Sequence, residues 1–184
     1  MGQGAVASAE PYATRVGLDI LAAGGNAVDA AAAVGIALAV TWPEAGNLGG
    51  GGFLMLRQKS GRCYALDYRE RAPRRAHKDV YLDAAGKVKV GDGGPQVGWR
   101  AAGVPGTVAG LAEAHKRWGS GKLSWAELLE PARKLALSGE WFADPQRRGI
   151  RSSRTLLSRS ADGRKIFVEQ AGATKLIQTD LAET

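Results

Sequence analysis

Cysteine is nearly absent: Cys63 is the only one in 184 residues. A single cysteine excludes an internal disulfide and any cysteine-based zinc site. It falls inside an apolar strand pattern, so it reads as a buried packing residue and not as a nucleophile. Histidine is equally sparse. His77 and His115 lie far apart and lack ligand spacing, so both read as ordinary surface or helix-face residues with no catalytic partner. No apolar run reaches the roughly 18 residues of a membrane helix. The start, Met1-Gly2-Gln3-Gly4, has no basic region followed by an apolar one, so no secretion leader is read there. No G-x-S-x-G elbow is present. With Met1 first, the chain is read as having no N-terminal Ser, Thr or Cys to act with its own amine. Internal repeats and low-complexity segments are lacking too.

Glycine, in contrast, is abundant, with 26 residues, roughly twice the usual share of about 7%. The glycines cluster, which marks particular turns and not disorder. The charge is lopsided. Residues 1–56 hold Arg15 against Glu10, Asp19, Asp29 and Glu44, a balance of −3, while residues 57–184 hold the other 24 basic and 14 acidic side chains, a balance of +10. Three readings follow from such asymmetry: a nucleic-acid partner, an acidic partner segment, or a solvated surface. A nucleic-acid partner is disfavoured, because no basic helix, aromatic platform or zinc-finger spacing accompanies the charge.

The periodicity predicts an α+β chain forming one partial domain over residues 1–184. Pro11 suits a first helical turn, Val16, Ile20 and Ala23 follow at helical spacing, and Gly24-Gly25 stops the helix. Asn26 is an N-cap with Asp29 at the third position, opening an alanine-rich helix from Ala27 to Val40. That helix is apolar nearly all round and ends before Trp42-Pro43. Phe53–Leu56 and Cys63–Tyr68 read as an antiparallel hairpin turning at Lys59-Ser60-Gly61-Arg62. Their unbroken apolar runs predict a sheet covered on both faces, with the alanine-rich helix on one of them. Arg69–Val104 reads as mostly irregular. Thr107 caps a helix to about Trp118, with Val108, Leu111, Ala112 and His115 on one face. Ser124-Trp125-Ala126-Glu127 is a capping box for another helix, which Pro131 should kink or restart and Ser138-Gly139 should end. Residues 143–163 read as basic, polar and mobile. Thr179 or Asp180 reads as an N-cap, and Thr184 follows after about one turn, so the chain is expected to stop short of its domain end.

Two glycine-rich stretches fail as phosphate loops. Gly46-Asn47-Leu48-Gly49-Gly50-Gly51-Gly52 precedes a strand, where a phosphate loop would link a strand to a helix. Gly119-Ser120-Gly121-Lys122 has Leu123 where Ser or Thr is required. The informative segment is Leu66-Asp67-Tyr68-Arg69-Glu70-Arg71-Ala72-Pro73. Arg69 follows directly on an apolar strand, where its guanidinium can offer a bidentate fork to a carboxylate. The same residues permit a structural salt bridge from Arg69 to Asp67 or Glu70, and taken alone they favour it.

Four motifs in one order resemble the large-subunit portion of γ-glutamyltransferases (γ-glutamyltranspeptidases, glutathione hydrolases). They are Gly25-Asn26-Ala27-Val28-Asp29-Ala30-Ala31, the stretch from Pro43 to Gly52, Asp67-Tyr68-Arg69-Glu70-Arg71-Ala72-Pro73, and Gly103-Val104-Pro105-Gly106-Thr107-Val108-Ala109-Gly110. The resemblance covers essentially the whole chain and is strongest from Gly4 to Gly139. It implies part of a four-layer αββα fold of the N-terminal-nucleophile hydrolase type, incomplete in this chain. It also implies a precursor that cleaves itself, so that a threonine opens the small subunit and attacks the γ-glutamyl amide of glutathione or a similar substrate. By resemblance, Arg69 binds the α-carboxylate of the glutamyl group and Glu70 orients it. No catalytic residue, cofactor or metal is assigned to this chain, and it is expected to be inactive alone. The implied partners are the small subunit of the same precursor and a γ-glutamyl small molecule, with no nucleic acid and no membrane. The implied location of the full-length protein is periplasmic or extracellular. Related amidohydrolases of the cephalosporin acylase or poly-γ-glutamate depolymerase type, and a non-catalytic carboxylate-binding module, stand as alternatives.

Overall fold

The computed structural model describes residues 4–184, so the reading of the first three residues lies outside it. The chain forms two compact units, residues 48–110 and the remainder.

The larger unit is helical. α1 (Pro11–Ala22) has Pro11 in its first turn and the Glu10 carboxylate as its cap, accepting the Ala13 N–H. α2 (Ala27–Thr41) opens on a full capping box: the Asn26 side chain accepts from Val28 and Asp29, and the Asp29 carboxylate accepts the Asn26 N–H. α2 packs against both α1 and α4 (Trp125–Ser138). Its burial runs nearly all round, through Val28, Ala32, Ala33, Ile36, Ala37 and Val40. The alanines are what allow this, because a methyl side chain lets neighbouring helix backbones approach closely at interior packing density. On α1 the buried positions are Ala13, Val16, Gly17 and Ile20, while Ala23 is the exposed C-cap. α4 begins on the Ser124–Glu127 capping box and ends where Gly139 takes a left-handed φ of 62°. It runs as one helix through Pro131, which neither ends nor restarts it. Proline there removes one backbone donor only, and Leu128, Ala132 and Ala136 still bury a continuous stripe.

α3 (Thr107–Trp118), whose C-terminal part belongs to this unit, runs as expected and buries Leu111 and Ala114. Two expectations for this unit are corrected. Residues 143–163 hold α5 (Asp144–Ser152) and two shorter helical segments. Gln146 and Ile150 anchor α5 inward, so its basic side chains occupy the other faces. The short terminal helix, Thr179–Glu183, is preceded by Gln178, and neither Thr179 nor Asp180 caps it. The Gln178 amide donates instead to the Val40 carbonyl at the end of α2.

The smaller unit is a hairpin with a long irregular excursion. β1 (Phe53–Arg57) pairs antiparallel with β2 (Cys63–Asp67), in a register that sets Phe53 opposite Asp67 and Leu56 opposite Tyr64. The turn uses Gly61 at φ 86°. Leu54, Leu56, Tyr64 and Leu66 are half-buried on one face. The other face is exposed, with Phe53 at 64% and Met55 at 77%. The two-sided cover read from the apolar runs is therefore not present among the described residues, and Cys63, which shares the open face, is exposed and not buried. Strand alternation decides this, since Cys63, Ala65 and Asp67 all project to the side opposite Tyr64 and Leu66.

Candidate functional site

Arg69 leaves the sheet two residues beyond the end of β2. Its backbone is held from three directions within the smaller unit. The Tyr68 N–H donates to the Gly52 carbonyl at 3.0 Å, extending the β1–β2 pairing. Arg71 and Val104 exchange two hydrogen bonds, Arg71 N–H to Val104 O at 3.1 Å and Val104 N–H to Arg71 O at 2.8 Å. The N–H groups of Gly106 and Thr107 both reach the Gly50 carbonyl, at 2.8 and 3.0 Å. The glycine run, the arginine segment and the Gly103–Gly110 segment are thus laced together around Tyr68–Arg71. This unites three motifs that lie far apart in the sequence.

Glycine is required here by close approach. A Cβ on Gly106 would collide with the Tyr68 carbonyl oxygen, and one on Gly110 would collide with the Tyr68 Cγ. Gly106 and Gly110 are one helical turn apart, and the Gly110 N–H donates to Gly106 O at 2.8 Å. The start of α3 therefore presents a bare strip of backbone to Tyr68. Burial pushes the Tyr68 phenol above its ordinary pKa, so it stays neutral at neutral pH.

The salt bridge favoured by the residues alone is not formed. The Asp67 carboxylate accepts the Arg69 main-chain N–H at 3.0 Å, and among the described residues no ion pair joins the Arg69 guanidinium to Asp67 or Glu70. The guanidinium lies 5.8 Å from the centre of the Phe53 ring, within cation–π range and worth about 0.5–1 kcal/mol at an exposed site. Arg69 and Glu70 are both exposed. The Glu70 side chain runs past Gly103, where an added Cβ would come within 2.7 Å of the Glu70 Cβ. This is a fork-shaped cation on a fixed backbone with its hydrogen-bonding face unoccupied by protein carboxylate, an arrangement suited to capturing an anionic group. Phe53 and Tyr68 escaped the sequence reading. The recurrence of Gly103, Gly106 and Gly110 was the available signal, since each leaves bare backbone where the Tyr68–Glu70 segment approaches.

The first glycine-containing motif serves the larger unit. Asp29, fully buried, accepts the Asn26 N–H at 2.9 Å and the Ser120 N–H at 3.0 Å, and lies 2.9 Å from His115 Nδ1. His115, expected to be unpaired, is thus partnered. The Asn26 amide donates to the Trp118 carbonyl at 2.7 Å, so Asn26 and Asp29 together clamp the end of α3 to the start of α2. Gly119-Ser120-Gly121-Lys122 is the loop that makes this clamp. Burial opposes ionisation of Asp29, but the hydrogen bonds from Ser120, Asn26 and His115 prevail and hold its carboxyl below the ordinary carboxylate value. A depressed carboxyl contributes stability that is complete above the unfolded pKa of about 4 and is lost as pH falls through the folded value. Asp29→Asn should therefore destabilise the protein most at neutral pH, and the gap from wild type should narrow below about pH 4. Urea midpoints at pH 7, 5 and 3 measure it, and a gap that widens in acid would contradict the assignment.

Known proteins resemble this chain over nearly its whole length. The family model for gamma-glutamyltranspeptidase matches residues 13–184. The glutathione hydrolase proenzyme of Pseudomonas aeruginosa is 48% identical over 181 residues, covering 98% of this chain and 32% of the relative. That of Escherichia coli is 42% identical over 187 residues, covering 99% and 32%. The structure of gamma-glutamyltranspeptidase from Pseudomonas nitroreducens complexed with L-DON superposes with a TM-score of 0.90 at 44% identity, covering all of this chain and 53% of that one. The chain spans about a third of the length of these curated relatives.

Proposed function

The chain belongs to the γ-glutamyltranspeptidase family, as an α+β portion of its four-layer αββα N-terminal-nucleophile hydrolase fold, and from that premise we propose that it is the N-terminal part of a large subunit whose Arg69 binds the α-carboxylate of a γ-glutamyl substrate. The observation that carries this is the state of Arg69: an exposed guanidinium, on a backbone pinned by two other family motifs, whose neighbouring carboxylate Asp67 is already engaged by the main chain. Glutathione fits as substrate class, because its γ-glutamyl group carries a free α-carboxylate that a planar fork can hold at two points.

The reaction is acyl transfer. In the small subunit of the same precursor, a threonine hydroxyl attacks the γ-carbonyl carbon and passes its proton to the threonine's own α-amine. The C–N bond breaks as the leaving amine takes that proton, and water or an acceptor amine then releases the glutamyl group. This chain's part is binding and orientation, and Glu70 beside Arg69 is assigned to steadying that orientation. The full-length protein is assigned to the periplasm or the exterior of the cell.

The deciding experiment compares three anilides with the full-length protein: γ-glutamyl, α-glutamyl, and a γ-glutamyl analogue whose α-carboxylate is a neutral carboxamide. Only the first should turn over efficiently, and the isolated chain should act on none. Equal turnover of the carboxamide analogue, or no turnover by the full-length protein, overturns the proposal.

A further inference from the structure

Tyr68 stands immediately before Arg69, and its side chain is not idle. One edge of the ring lies over Gly52, where an added Cβ would sit 3.1 Å from Cε2 and from the hydroxyl oxygen and 3.2 Å from Cζ. The base of the same side chain rests on Gly110, and its carbonyl rests on Gly106. The Tyr68 N–H is held by the Gly52 carbonyl. The residue is thus gripped at its nitrogen, its carbonyl and its ring by two glycine segments that come from opposite sides of it in sequence. A residue gripped at three points has little freedom in φ, ψ or χ1, and the direction in which the next residue leaves the chain is fixed with it.

We propose that Tyr68 is a positioning residue for Arg69: its ring, seated on the bare backbone of Gly52 and Gly110, sets the direction in which the guanidinium projects from the end of β2. The proposal rests on the reading of Arg69 as the α-carboxylate anchor. The aromatic ring is the working part. The planar ring fits the space left by the bare backbone of Gly52 and Gly110, where a branched side chain would not.

The test is steady-state kinetics on a γ-glutamyl anilide with the full-length protein. Tyr68→Phe keeps the ring and should leave KM within about twofold of wild type. Tyr68→Leu should raise KM about tenfold with kcat within about threefold, since a misdirected anchor loses binding more than chemistry. KM does not depend on the fraction of enzyme that is folded, so partial unfolding cannot imitate this result. Gly52→Ala keeps Tyr68 but presses a methyl on its ring. It should raise KM about threefold in the wild-type background and add nothing in the Tyr68→Leu background. It carries the test if Tyr68→Leu does not fold. In an Arg69→Ala background, Tyr68→Leu should change kcat/KM by less than about twofold, because the group it positions is gone.

Additive losses in that double variant would show that Tyr68 acts independently of Arg69 and would overturn the proposal, as would an unchanged KM for both Tyr68→Leu and Gly52→Ala. If Arg69→Ala itself leaves kcat/KM unchanged, the α-carboxylate reading fails and the role of Tyr68 fails with it. A fall for Arg69→Ala without one for the Tyr68 and Gly52 variants removes Tyr68 alone.

Discussion

Replacing Arg69 with alanine in the full-length protein should lower kcat/KM for a γ-glutamyl anilide by roughly 30- to 1,000-fold, the equivalent of about 2–4 kcal/mol for truncating one partner of a desolvated charge pair. The loss should appear mainly in KM, because the contact exists in the ground state as well as the transition state. Arg69→Lys should recover only a small part of it. An ammonium keeps the charge but cannot offer two parallel donors to a carboxylate. The carboxamide analogue closes the cycle: wild type should discriminate strongly against it, and Arg69→Ala should hardly discriminate at all. If Arg69→Ala and wild type reject the analogue equally, the anchor for the α-carboxylate is another residue.

How far the chain could be read from its sequence depended on the distance over which the deciding contact acts. Helix ends were legible, because Asn26 with Asp29, Ser124 with Glu127, and Gly139 each work within four residues. The hairpin was legible for the same reason. Burial of the sheet was not. Phe53, Met55 and Cys63 read as interior residues because an apolar run carries no mark of which face finds cover. The pairing of His115 with Asp29 spans 86 positions and left no local trace. At the site the limit was sharper. Residue chemistry around Arg69 favoured a salt bridge to Asp67 or Glu70, and only the ordered motifs turned the reading toward an anion anchor. The Asp67 carboxylate accepts the main-chain N–H only two residues on, a turn contact Asp commonly makes, but the adjacent charges of Arg69 and Glu70 drew the reading to an ion pair instead. The glycines were visible as a cluster, yet what they make room for, Tyr68, emerges only once the segments around residues 52, 68 and 106 are seen to converge.

That convergence predicts where the smaller unit is most vulnerable. Gly106→Ala adds one methyl group, and most exposed glycines accept one with little consequence. At Gly106 the methyl would be driven into the Tyr68 carbonyl oxygen and would lie 2.8 Å from its carbonyl carbon and 3.1 Å from the Arg69 carbonyl oxygen. These are backbone atoms, so no side-chain rotation relieves the clash, and the start of α3 must separate from the Tyr68–Arg69 segment. Separation breaks the hydrogen bonds from Gly106 and Thr107 to Gly50 and strains the Arg71–Val104 pair. Overpacking of a side-chain core costs about 1–3 kcal/mol. A backbone clash with loss of two hydrogen bonds at about 1 kcal/mol each should exceed that range, giving about 3–5 kcal/mol. The urea midpoint of the protein should fall accordingly, and KM for a γ-glutamyl anilide should rise with it, since the displaced segment carries Arg69. Gly121→Ala is the control: that glycine has a φ of 71° but open space around its Cβ position, so it should cost about 1 kcal/mol of backbone strain and leave KM unchanged. Equal effects of the two substitutions would mean that the close approach at Gly106 does not hold the arginine segment in place.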